Sequence, residues 1–177
     1  NNGSVSGLIM VGVNPAYTLP NSEKFIEGLK KAKLSVCFSS KNDESAVNSK
    51  WVAALPHFLE SWGDNEMKYG RFSLTQPTIR PLFDTRQFQD CLLKWTGSEM
   101  SFYNYVKNNW KENILKKSSW NQVLHDGFYE SNRKYPRKNK KYDIEKCVND
   151  LLKYKSSSDY ELVLYTKTGL GDVQQAN

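Results

Sequence analysis

Three short stretches of this sequence could present polar groups to a ligand: Gly12-Val13-Asn14-Pro15, Phe38-Ser39-Ser40 and Leu55-Pro56-His57. Each follows an apolar run that reads as a buried strand, and ligands of open parallel sheets sit at the carboxyl ends of strands. Gly12 lets a ligand approach the backbone, and the Asn14 amide can hydrogen-bond a phosphate or a ribose. The hydroxyls after Phe38, with the free amides of the turn at Asp43, can receive an anion. Asn-Pro also initiates turns for purely structural reasons. His57 and Glu60 lie one helical turn apart with Asp64 nearby, a spacing open to acid/base work. No nucleophile or orienting partner accompanies them, so a polar anchor under a loop is the favoured reading and no catalytic residue is assigned.

Metal chemistry is not expected. His57 and His125 make a poor zinc set. Cys37, Cys91 and Cys147 are far apart, with no Cys-x-x-Cys to hold an iron–sulfur cluster. Their apolar neighbours point to buried thiols. The net charge of +6 comes from 25 Lys+Arg against 19 Asp+Glu, with much of the excess between Arg133 and Lys141. Pro136 and the lack of apolar periodicity make that run a solvated loop, and no nucleic-acid partner is expected. No apolar run approaches ~18 residues, so direct membrane insertion is not expected. The chain opens on Asn1 and ends on Asn177, and we expect a domain excised from a longer chain.

The elements that must position these residues follow from periodicity. Gly7–Val11, Leu34–Phe38 and Trp51–Leu55 read as strands. A helix capped at Asn21 or Ser22 places Phe25, Ile26, Leu29 and Ala32 on one face. Asp43–Ala46 starts a short helical turn. Together these form a βαβ core over residues 1–80 with parallel strands, and residues 56–81 read as loops. A mainly helical stretch spans 84–155. Asp84-Thr85 caps its first helix with Gln87 in capping-box register, and Arg86 and Asp90 form a surface pair. Trp95, Phe102, Tyr105, Trp110 and Trp120 are packing residues, Gly127 stops a third helix, and Asp143 caps a fourth. Residues 160–166 form a closing strand. The expected fold is α/β: one domain over 1–177, a Rossmann-like, mainly parallel sheet flanked by helices, with a helical insertion before the last strand.

Residues 7–20, GLIMVGVNPAYTLP, resemble the strand and Asn-Pro loop of molybdopterin oxidoreductases of the dimethyl-sulfoxide-reductase type. The helix to Lys31, the strand to Phe38, the Asp43–Ala46 turn, the strand to Pro56 and the segment Gly70–Pro77 follow in that family's order. Residues 55–64, LPHFLESWGD, and 76–87, QPTIRPLFDTRQ, are similar to the molybdopterin-like iron–sulfur subunit of bacterial alternative complex III, a quinol:cytochrome c oxidoreductase. The closing GLGDVQQAN looks like the stretch before that subunit's next domain.

The resemblance implies an oxidoreductase subunit of electron transport on the periplasmic side of the inner membrane, peripheral to it. Its partners would be the other domains of the parent chain and the subunits of a membrane complex, and its iron–sulfur clusters would lie elsewhere in the parent. In the wider family the Asn-Pro loop and the end of the next strand hold molybdopterin guanine dinucleotide; Gly12, Asn14, Pro15 and Glu44 match that pattern. Ser39 stands where the family has an acidic residue, which removes an acceptor for a guanine edge. The reading is a structural domain without its own cofactor; the alternative is a working molybdopterin guanine dinucleotide-binding domain.

Overall fold

The computed structural model describes residues 4–116, 118–133, 135, 143–153, 160 and 162–169. The chain divides into two compact units, residues 1–135 and 136–177.

The first unit opens with β1 (Gly7–Val11), β2 (Leu34–Ser39) and β3 (Trp51–Ala54), a parallel sheet in the order β1-β2-β3. Its connections carry α1 (Pro15–Thr18), α2 (Ser22–Lys31) and α3 (Glu44–Val47). This is the α/β arrangement expected. Strand alternation sends Leu8, Met10 and Cys37 to one face, where they pack with Phe25 and Leu29 of α2 and Ala46 of α3. Lys50 reaches back to close the end of α2, its Nζ donating to the carbonyls of Ala32 at 2.7 Å and Lys33 at 3.1 Å. On the opposite face Phe38 is buried edge-on against Phe88 and Trp95 of α4 (Phe88–Trp95), at 4.9 and 6.1 Å, while Ile9, Leu34 and Trp51 stay exposed.

Residues 56–81 are not all loop. They contain β4 (Gly63–Lys68) and β5 (Arg71–Thr75), which form an antiparallel sheet with β6 (Phe128–Glu130). β4 is polar and almost wholly exposed, so it lacks the apolar signature of a strand; the alternation of Phe72 and Leu74 across a Gly70 turn is the signal that was there. Gly70 has φ +81°, and its N–H donates to Glu66 Oε1 at 2.7 Å.

The helical stretch holds α4, α5 (Phe102–Asn109), a π turn at Trp110–Ile114, and α6 (Trp120–Asp126) ended by left-handed Gly127. Phe72, Phe102, Val106, Trp110, Ile114, Trp120 and Val123 make its core. Trp110 is fully buried and its indole N–H donates to Asp64 Oδ2 at 2.7 Å. The packing role expected of the aromatics holds: Phe102, Trp110 and Trp120 are buried, and the more exposed Trp95 and Tyr105 lie against Phe38 and Phe102 respectively.

Three expectations change here. The first helix starts at Phe88, with Gln87 and not Asp84-Thr85 at its cap position. The Gln87 amide instead clasps Trp62, accepting from its N–H at 3.1 Å and donating to its carbonyl at 2.8 Å. Asp90 does not pair with Arg86; its carboxylate accepts from the Phe102 N–H at 2.8 Å and so anchors the start of α5.

In the second unit Asp143 caps α7 (Ile144–Leu152) by accepting from the Lys146 N–H. Ile144, Val148, Leu151 and Leu152 are exposed along it. Cys147 is exposed too and Cys91 is half-buried, so the buried-thiol expectation fits Cys37 alone. Of the closing strand expected at 160–166, residues 160 and 162–166 are exposed and belong to neither sheet, and residue 161 lies outside the described residues. An apolar run becomes a strand through its ladder partner, which the run itself does not specify. Most of the basic loop, and the closing motif beyond Gly169, lie outside the described residues.

A Cβ at residue 70 would sit 2.9 Å from Ser131 Oγ and 3.0 Å from its carbonyl, in a left-handed turn. Gly70→Ala is therefore expected to lower stability by about 1–3 kcal/mol. Urea unfolding checks this, and an unchanged midpoint would contradict the hairpin geometry.

Candidate functional site

The loops leaving β1 and β2 are joined by one buried amide. Gly12 turns the chain at φ +61° as β1 ends, its N–H donating to the Phe38 carbonyl at 2.9 Å. Two residues on, Asn14 is buried, and its Oδ1 accepts from both the N–H (3.2 Å) and the hydroxyl (2.8 Å) of Ser45. Its Nδ2 donates to Glu44 Oε2 at 2.7 Å. Ser45 is completely buried, and its Oγ accepts from the Ala16 N–H at 3.0 Å. Pro15 starts α1 at a position where a missing N–H costs nothing.

The end of β2 holds a second set of bonds beside it. Ser39 Oγ donates to Asp43 Oδ2 at 3.2 Å and accepts from the Lys41 N–H. Asp43 Oδ1 caps α3 by accepting from the Ala46 N–H at 2.9 Å. Gly12, Asn14, Pro15, Ser39 and Glu44 thus lie on two adjoining loops, which the Asn14–Ser45 bonds join. Ser45 carries no signal of its own in the sequence, because nothing local pairs residues 31 apart.

Two ionisable groups feel this arrangement. The hydrogen bond from Asn14, reinforced by Glu44's own backbone, holds the exposed Glu44 carboxyl below its ordinary range. Burial, with the Asp43 charge nearby, pushes the Cys37 thiol up, which makes it an inert core group rather than a nucleophile.

The third stretch has a different role. His57 and Glu60 form a capping box around a short turn at Phe58–Glu60: His57 Nδ1 accepts from the Leu59 N–H, and Glu60 Oε2 from the His57 N–H. The Leu59 carbonyl accepts from Thr78 and Ile79, and Glu60 Oε1 accepts from the Leu82 N–H. The pair anchors the 78–82 loop. Among the described residues no three His, Cys, Asp or Glu side chains gather as a metal site, and no helix is long and apolar enough to cross a membrane.

No family model matches the chain. It is 33% identical over 94 residues, 51% of its length, to "Menaquinone reductase, molybdopterin-binding-like subunit" of Nitratidesulfovibrio vulgaris. The sequence match supports a molybdopterin-oxidoreductase relationship. The aligned part spans 14% of that relative's length. Among solved structures, acetylene hydratase from Pelobacter acetylenicus shares the fold, with a TM-score of 0.56 and 15% identity over 72% of this chain and 18% of that one.

Asn14→Ala removes the acceptor of two Ser45 donors, one of them a buried hydroxyl, and is expected to cost about 1–3 kcal/mol in thermal or urea unfolding. Because the folded state favours ionised Glu44, its contribution is complete above the unfolded value of ~4.3 and is lost as pH falls through the lower folded value. The stability gap between the wild type and Glu44→Gln should accordingly narrow in unfolding titrations taken below about pH 4. A gap independent of pH would show that the Asn14–Glu44 bond does not hold in solution.

Proposed function

We propose that this chain is a non-catalytic structural domain of a molybdopterin-oxidoreductase-like iron–sulfur subunit, part of a membrane-associated quinol:cytochrome c oxidoreductase complex. The relative's description as a molybdopterin-binding-like subunit of a menaquinone reductase supports a quinone-linked, multisubunit setting. On this reading its partners are the other domains of the parent chain and neighbouring subunits, on the periplasmic side and peripheral to the inner membrane. The parent's iron–sulfur clusters lie outside this segment.

The observation that carries the reading is the closure of the strand-end polar groups on one another. A guanine edge offers N–H donors and calls for a carboxylate acceptor. At the end of β2 the chain supplies Ser39, whose hydroxyl already donates to Asp43, while both Asp43 oxygens are engaged by Ser39 and Ala46. The Asn14 carbonyl oxygen is taken twice by Ser45. These residues do not fit a guanine-dinucleotide arm as they stand. One observation favours the second reading, a molybdopterin guanine dinucleotide-binding domain: Glu44 presents an exposed carboxylate at the strand ends, oriented by Asn14.

Titration calorimetry with guanosine diphosphate, and native mass spectrometry with molybdopterin guanine dinucleotide, separate the two. The structural role predicts no saturable binding of either. Saturable binding that is lost in Glu44→Gln, a surface change that leaves the Ser45 bonds in place, would overturn it in favour of the second reading.

A further inference from the structure

We propose that the lysine-lined depression beside the π turn binds a phosphoryl anion, independently of the strand-end loops. A cavity of about 440 Å³ opens there, lined by Lys107, Lys111, Lys116, Ser118 and Asn121 with the buried Trp120 beneath them. Among the described residues three ammonium groups border it and no carboxylate does. The ion pairs formed among the described residues, Arg71–Glu130, His125–Asp126 and Lys153–Asp150, leave these lysines out. Lys107 lies in the last turn of α5 and Lys111 at the start of the π turn, four residues apart, a spacing at which like charges repel and destabilise a helix. A multiply charged anion in the depression relieves that repulsion.

The shape of the backbone brings Lys116 into the group. The π turn at Trp110–Ile114 ends where Leu115 turns to an extended conformation, and Lys116 beyond it lines the same cavity as Lys107 and Lys111. Single π turns inside helices recur at functional sites. Lysines act on phosphate as mobile point charges, and Ser118 and Asn121 add neutral donors to complete its shell. The Lys107 ammonium, 5.7 Å from the Tyr103 ring centroid, is held near the rim by a cation–π contact. The shared chemistry is the phosphoryl group, supplied by a soluble phosphate compound or by an anionic lipid headgroup.

The test is an amide NMR titration of the whole chain with inorganic pyrophosphate at low salt. Saturable shifts are expected around residues 107–121. The triple variant Lys107→Gln/Lys111→Gln/Lys116→Gln should bind roughly tenfold more weakly or worse, while Lys24→Gln/Lys30→Gln/Lys31→Gln on α2, with the same loss of charge, should bind as the wild type does. Should the first triple variant not fold, the exposed single change Lys116→Gln carries the comparison. Co-sedimentation with vesicles of phosphatidylcholine and phosphatidylglycerol then identifies the source: binding competed by pyrophosphate points to a headgroup, and inert vesicles to a soluble ligand. The absence of saturable shifts at 107–121 with pyrophosphate overturns the proposal whatever the vesicles do. So does an equal loss in both triple variants, which would mean attraction to net charge alone.

Discussion

A buried primary amide must find partners for its donors and its acceptor, because each one left open inside a fold costs more than a bond gained returns. Asn14 meets this demand across a separation of 31 residues. Its Oδ1 holds the backbone and hydroxyl of Ser45, and its Nδ2 holds Glu44, so the loop after β1 and the turn after β2 become one body. The consequences spread in both directions. Ser45 can stay completely buried because Ala16 and Asn14 satisfy its hydroxyl, and α1 starts where the Ala16 N–H meets that hydroxyl. Ala46, on the next residue, then faces the sheet and packs with Met10 and Cys37. Sheet register, helix start and core contact are coupled through one side chain.

Much of this half of the chain was legible in the sequence, for physical reasons. β1, β2 and β3 are short apolar runs closed by Gly12, the Ser39-Ser40 pair and Pro56, and α2 has an apolar stripe at helical spacing. Asp43 announces α3 because a carboxylate two or three residues ahead of free amides has a local use, as does Asp143 for α7. The three strand-end loops were identified as places where polar groups collect, and two of them do meet. What they do there was not legible. Asn14 has the same chemistry whether it waits for a phosphate or clasps a serine, and the partner that decides lies in another element.

The failures share that cause. β4 is a strand because β5 lies beside it, and its own residues are polar and exposed. Gln87 was in the right register for a capping box, yet a neighbouring loop offered Trp62, with a donor and an acceptor that match a primary amide on both sides. Asp90 likewise found the Phe102 N–H instead of an arginine on its own helix. Residues 160–166 have a strand's composition, but those of them that are described have no ladder. In each case local propensity specified what a residue could do, and tertiary geometry chose among the options.

The same logic bears on how the domain works. A parallel sheet is normally covered on both faces. Here α2 and α3 cover one, while α4 shields Phe38 on the other and leaves Ile9, Leu34 and Trp51 in the open. The polar ends of the strands are closed and an apolar face of the sheet is open, the reverse of what a ligand-binding α/β domain presents. A ligand seeking the Asn14 carbonyl oxygen would first have to break its two bonds from Ser45, at a cost the ligand must recover. Meeting another protein layer on the open face requires no such rupture. The closed strand ends and the open apolar face are thus two sides of one arrangement, in which polar groups are used for joining loops and apolar surface is left for packing.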